Sequence, residues 1–247
     1  MTQFEETTAG QSKTMPAKMV IYAEPKVGKT TFASQAPDPF FINIEGGLDF
    51  LERKVRTTPK LATYDEVIGW LGHIYKTDTF TAGMIVIDSL DWLESLAQEK
   101  LIKQEGAASI TDPKIKAFAY HKGVVDAADM CIKVLRWLDA IYEKRGIPAL
   151  LIAHSAVKTV DLPNQDPYSR FELKLSKSFG SRVNEWADLI LFAGKSFYVS
   201  KDGKASTEPK RVIFAGNSAS YIGGGRMRLE KEIPLDFNEL KKELTND

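Results

Sequence analysis

The sequence has one cysteine, three histidines and no excess of either charge among its 247 residues. Cys131 cannot pair within the chain, so a secreted disulfide scaffold is excluded. A single cysteine and three scattered histidines are also too few for a zinc site. No stretch approaches the roughly 18 uninterrupted apolar residues of a membrane-crossing helix. The opening MTQFEETTAGQSKTM has no basic flank followed by an apolar segment, so it is not expected to be a signal peptide, and a cytoplasmic address is expected by elimination. Lys plus Arg number 33 against 33 Asp plus Glu. That balance argues against a generally basic nucleic-acid coat while leaving room for a local basic groove. What is present is ordinary globular material: 43% hydrophobic residues, enough for a sizeable core and too many for a wholly disordered chain.

Residues 1–16 are polar and aperiodic and are expected to be a flexible tail ahead of a single domain, 17–247. No internal repeat or Ser/Gly/Pro linker divides that domain. The apolar run 18–22 predicts a buried strand leading into AEPKVGKTT, residues 23–31. Helix can follow only as far as Ala36, because Pro37 cannot continue it. Residues 40–44 predict a second strand closed by Glu45-Gly46-Gly47. Thr63, three residues before Glu66 and ahead of Val67, Trp70, Leu71 and Ile74, is a capping box that predicts helix over 64–76. Residues 84–87 predict a third strand ending in Asp88-Ser89, and 90–104 another helix. The clearest helix is 124–144, where Val124, Ala127, Ala128, Cys131, Val134, Leu135, Leu138 and Ile141 share a face and Gly146 supplies the stop. Residues 149–153 predict a fourth strand ending in His154-Ser155. Strands this continuously apolar, alternating with helices, predict an α/β fold with a mostly parallel central sheet covered on both faces. After residue 187 the β-prone runs 189–192, 197–199 and 211–214 predict strands or hairpins extending that sheet on one side.

The segment Ala23-Glu24-Pro25-Lys26-Val27-Gly28-Lys29-Thr30 fits the phosphate-binding loop except that Ala23 stands where glycine is usual. A loop of this kind wraps phosphate with backbone N–H groups, while the following helix terminus favours negative charge. Lys29 is placed to reach the β- and γ-phosphates and Thr30 to hold Mg²⁺ through its hydroxyl, with Thr31 next in line. The plain alternative is a chance Gly-Lys-Thr in a surface turn, but a strand before it and helix-compatible sequence after it favour the loop. Asp88, closing a buried strand, is the expected Mg²⁺ partner, with a helix N-cap as its other reading. Glu45, closing the second strand, is either a general base for water or an exposed turn residue. His154, after the fourth strand, is placed to sense a γ-phosphate. His73 and His121 have no such placement, and no Ser or Cys stands in a nucleophile-elbow context.

Read together, MVIYAEPKVGKTTF, FINIEGGLDFL, MIVIDSLDWL and ALLIAHS resemble the ATPase core of RecA/RadA-type recombinases, and especially the small phage-encoded RecA-like nucleotide-binding proteins. The resemblance spans about residues 18–235. It implies a RecA-like P-loop NTPase core with ATP and Mg²⁺ as cofactors. Glu45 would be the catalytic base, Asp88 the metal carboxylate, and His154 the γ-phosphate sensor at the head of a DNA-binding loop. A late segment, YIGGGRMRLEKEIP, resembles the one that reaches a neighbouring subunit's nucleotide. Its arginine matches Arg226, whereas its lysine position falls on Gly224, leaving Arg228 or Lys231 as substitutes, or Arg226 acting alone.

The same resemblance places two DNA-binding loops, one within 105–123 with Lys114, Lys116 and Lys122, the other within 155–178 with Lys158, Arg170, Lys174 and Lys177. The aromatics Phe118, Tyr120, Tyr168 and Phe171 lie among these cations, an arrangement that suits phosphate pairing and base stacking. Ordinary solvated lysines and a core Phe118 are the competing reading. The implied function is ATP-dependent single-stranded DNA binding in phage recombination or strand annealing. Slow, DNA-stimulated hydrolysis, a homo-oligomeric ring or filament, and a single-stranded DNA-binding protein as accessory partner go with it. A motor or loader in a replication complex, and a nucleotide-gated module with negligible hydrolysis, are the alternatives.

Overall fold

In the computed structural model, which describes residues 15–245 apart from 164, 197–208, 217, 228 and 231, the apolar run at 18–22 forms β1 (Lys18–Ala23). Next come α1 (Lys29–Ser34), which stops short of Pro37, β2 (Pro39–Asn43) and the short β3 (Arg56–Thr57). The helix α2 (Tyr64–Lys76) starts at the predicted capping box: the Thr63 hydroxyl accepts from the Glu66 N–H, and the Glu66 carboxylate accepts from the Thr63 N–H at 2.9 Å. It is followed by β4 (Met84–Asp88), α3 (Leu90–Glu105) and α4 (Lys122–Arg145). Gly146, at φ 67°, ends α4 by donating its N–H to Tyr142 O at 2.7 Å. The chain closes with β5 (Ala149–Leu162), β6 (Gln165–Leu173), α5 (Lys177–Trp186), β7 (Leu189–Ser196), β8 (Lys210–Phe214), β9 (Gly224–Gly225), β10 (Glu232–Pro234) and α6 (Phe237–Thr245).

The sheet runs β10-β8-β7-β1-β5-β4-β2-β3, with β7 through β3 parallel and β8 and β10 antiparallel. This is the predicted α/β architecture with antiparallel C-terminal strands. Continuous apolar strands are needed because both faces are covered. Val20, Tyr22, Ile42, Ile85, Ile87 and Leu151 pack beneath α2, α3, α4 and α5. Their neighbours Met19, Ile21, Phe41, Val86, Leu150 and Ile152 pack on the other face beneath α1 and α6, where the Phe32 and Phe237 rings lie 5.3 Å apart.

Several expectations change. The fourth strand does not end at Ala153. β5 leaves the parallel sheet after His154 and continues to Leu162, pairing antiparallel with β6 from Ser155↔Leu173 to Leu162↔Gln165. The segment 155–178, expected as a loop, is thus mostly a two-stranded ribbon. Alternating Val157, Thr159 and neighbouring polar residues suit a strand exposed on one side. Residue Met15, assigned to the tail, packs against the second core, while 1–14 and the β-prone run 197–199 lie outside the described residues. The helices α5 and α6 were not foreseen, each having an apolar stripe of only a few residues. No helix among the described residues is long and apolar enough to cross a membrane.

Candidate functional site

The strand β5 lies between β1 and β4, with Ala23 opposite His154 and Asp88 opposite Ile152. This register gathers the ends of β1 and β4 beside His154 of β5 at one edge, and the turn after β2 joins them. Ile44 and Glu45 both donate their N–H groups to Asp88 O at 2.9 Å.

Residues 24–28 turn back over this edge. Lys26 (φ 65°) and Gly28 (φ 116°) take left-handed backbone, in which successive N–H groups can converge on an anion. A Cβ at Gly28 would stand 3.3 Å from Arg211 Nη1, the movable end of a flexible side chain, so it is the left-handed backbone that calls for glycine there. Glu24, Pro25 and Lys26 are exposed along the loop and Val27 is buried beneath it. Lys29 is only 6% exposed, and its Nζ donates to Ala23 O at 3.2 Å and Glu24 O at 3.0 Å. Burial lowers its pKa, while the Glu45, Asp88 and Asp91 carboxylates act to keep the charge. An ammonium has three donors, so one remains for a phosphate.

The Thr30 hydroxyl donates to Asp88 Oδ2 at 2.9 Å. A hydroxyl and a carboxylate are hard oxygen donors of the kind Mg²⁺ takes alongside nucleotide phosphates and water. The fit is good for a cation delivered with a nucleotide. Among the described residues no group of three or more His, Cys, Asp and Glu could hold a metal by itself, so phosphate oxygens and water would complete the shell. Ser89 caps α3 without a side-chain hydrogen bond, leaving Asp88 free of the N-cap duty considered above.

Burial pushes the Asp88 carboxyl up to about 6, helped by the Glu45 charge and opposed by the Thr30 hydrogen bond. The ionised form is disfavoured by folding, so Asp88 costs stability above about pH 6, and the cost disappears as the pH falls toward the ordinary carboxylate value near about 4. A proton and Mg²⁺ then compete for the same oxygens. Mg²⁺-dependent ATP affinity is expected to fall below about pH 6, by up to roughly tenfold per pH unit. Asp88→Asn is expected to remove that pH dependence together with most of the Mg²⁺ response, as read by calorimetric titration across this range.

His154 sits between two carboxylates. Its Nδ1 is 2.8 Å from Asp91 Oδ2, its backbone N–H donates to Asp91 Oδ1 at 3.1 Å, and its Nε2 is 3.7 Å from Glu45 Oε1. Asp91, in the first turn of α3, was missed in the sequence. The signal available was a second aspartate three residues after Asp88, one helical turn past the strand end. Burial alone would raise its carboxyl, but the hydrogen bonds from the His154 ring and backbone outweigh this and hold it below the usual range.

The remaining candidates divide. Lys158 and Arg170 stand directly opposite each other on the β5–β6 ribbon, and with Lys177 they line a cavity of about 410 Å³ against α5. Lys158 Nζ donates to Leu175 O at 3.0 Å, and Arg170 pairs with Glu172 at 2.7 Å. Lys174 instead joins His154, Asp91, Trp92 and Pro25 around a second cavity of about 350 Å³ beside the phosphate loop. The four cations of the second segment therefore do not share one channel. Lys114, Lys116 and Lys122 are exposed, as is Tyr120, whereas Phe118 is buried, and Phe171 stacks on Phe192 at 5.1 Å. The structure does not bring Arg226 to its own chain's phosphate loop. Arg226 is exposed and pairs with Asp188, just before β7, at the sheet edge opposite the loop. Arg228 and Lys231 lie outside the described residues. Thr31 is exposed on α1, one residue beyond Thr30.

No curated protein matches the sequence. The profile of one family, described as AAA domain, matches residues 15–227, from just before β1 through Arg226 and Met227. With that match over most of its length and a phosphate-loop lysine, hydroxyl and strand-end aspartate converging at one sheet edge, the chain belongs to the AAA domain family of P-loop, nucleotide-binding ATPases.

Proposed function

We propose that the protein is a Mg²⁺-dependent ATPase of RecA-like type that grips single-stranded DNA according to its nucleotide state, in phage recombination or strand annealing. The observation that carries this reading is the course of β5. One unbroken strand runs from the nucleotide edge, past His154, into a ribbon bearing Lys158 and Arg170. A displacement of His154 by a γ-phosphate would be passed along that strand without crossing a loop. Lys29 would bind the β- and γ-phosphates, and Thr30 and Asp88 would hold Mg²⁺, whose charge would neutralise the phosphate oxygens. Glu45 would accept the proton of the attacking water. The residue beside Asp88 is Ser89 rather than a carboxylate, which supports a base drawn from the neighbouring strand.

On the ribbon, Lys158, Arg170, Val160 and Tyr168 share a face, cations beside an aromatic, which suits phosphate pairing with base stacking. Glu172 offsets part of that charge, so each subunit would bind weakly. A homo-oligomer in the cytoplasm of an infected bacterial host, assisted by a single-stranded DNA-binding protein, would multiply such contacts. Arg226, exposed on the opposite edge, would then reach a neighbour's nucleotide rather than its own. Lys114, Lys116 and Lys122 would form the second DNA-facing segment.

The test is fluorescence anisotropy with labelled oligonucleotides at several salt concentrations. Replacing Lys158 and Arg170 together by alanine is expected to weaken binding about equally for mixed and homopolymer sequences and to flatten the salt dependence by up to roughly one unit of slope per lost contact. Unaltered slope and affinity would remove the ribbon from the DNA surface and favour a motor whose DNA contact belongs to a partner.

A further inference from the structure

The structure assigns a positioning role to Asp91: it holds the His154 ring in the tautomer that carries its proton on Nδ1 and turns Nε2 toward Glu45. The inference rests on the nucleotide reading of this edge and deepens it.

Both oxygens of Asp91 are spent on one residue, Oδ1 on the His154 backbone N–H at 3.1 Å and Oδ2 on Nδ1 at 2.8 Å. An ionised carboxylate only accepts hydrogen bonds, so Nδ1 must be the donor. The backbone bond matters as much as the ring bond. It fixes the strand at the residue where β5 passes from the sheet into the ribbon, so ring and main chain cannot drift separately. Asp91 and the His154 side chain are each 13% exposed, which keeps water from competing for either bond. What remains is a single open nitrogen, Nε2, 3.7 Å from Glu45 Oε1. That spacing is longer than a hydrogen bond, and both groups are left facing the edge where Lys29, Thr30 and Asp88 converge. Free imidazole would divide itself between tautomers and rotamers. Here only one arrangement satisfies Asp91, and in it the nitrogen beside the proposed base is the one able to accept or share a proton.

The test reads the ring directly and then its consequence. In the full chain, with the histidine imidazole ¹⁵N resonances assigned, His154 of the wild type is expected to show a protonated Nδ1. A wild-type ring protonated on Nε2 alone would overturn the proposal without any variant. Asp91→Asn keeps the shape but offers an amide donor that can stabilise the opposite tautomer. In that variant the proton is expected to move to Nε2, with kcat for ATP hydrolysis reduced about tenfold and KM within about twofold of the parent. Asp91→Glu, which keeps the acceptor-only carboxylate, is expected to restore the Nδ1 tautomer. An unchanged tautomer in Asp91→Asn, or a changed tautomer with unchanged kcat, would refute the role. Should the wild type hydrolyse no ATP, the proposed function fails, and the tautomer in wild type and variants still decides the role of Asp91 by itself.

Discussion

Lys29→Ala is expected to weaken MgATP binding by about 100-fold or more, roughly 3 kcal/mol, while the protein remains folded. Lys29 is an ammonium almost wholly removed from water, satisfied by two carbonyl oxygens and surrounded by three carboxylates. Desolvation of the charge has already been met in the folded chain, so a phosphate arriving there meets a donor that needs little rearrangement. Alanine removes the charge and its donors at once. The fold should survive, because one of the lost bonds ends on the O of exposed Glu24, where water can replace the ammonium, and only Ala23 O is left buried. Calorimetric titration with ATP and Mg²⁺, alongside a thermal melt of the apo-protein, separates the two effects. Unchanged affinity would remove the phosphate loop from the nucleotide site.

Glu45→Gln is expected to leave ATP affinity within about twofold and to cut turnover by about a hundred- to ten-thousand-fold. The amide fills the same space but cannot take the water's proton. The backbone of Glu45 stays tied to Asp88 O through its N–H, so the substitution should not unmake the turn. Single-turnover hydrolysis measured against the parent protein gives the ratio. Parental turnover in this variant would place the base elsewhere.

These expectations draw on both sequence and structure, and the two contributed differently. The phosphate loop, Glu45 and Asp88 at the ends of their strands, the point at His154 where β5 leaves the parallel sheet, and the capped helix at Thr63 were legible because each depends on neighbours in sequence: a motif spacing, a capping box, an apolar run with a polar stop. Asp91 was not legible, since its partner is 63 residues away and only the insertion of β5 between β1 and β4 brings them together. The ribbon was read as a loop because β5 changes partners in mid-strand. Its first half is buried in the sheet and reads as continuous apolar sequence, while its second half is half-exposed and reads as polar. Arg211 escaped notice for a similar reason: nothing near it in sequence says that β8 brings its guanidinium beside Gly28. Phe118 had two readings as sequence, and burial decides it in favour of packing, while Phe171, expected among the stacking aromatics, is partly buried and stacks on Phe192.

The most direct measurement of the central claim is ATP hydrolysis with and without single-stranded DNA, with particle size followed in the same samples. The account predicts slow Mg²⁺-dependent turnover that rises when single-stranded DNA is added, accompanied by assembly into larger particles, and loss of that rise in His154→Ala with ATP affinity kept. Turnover indifferent to DNA, with no change in particle size and the same behaviour in His154→Ala, would contradict it.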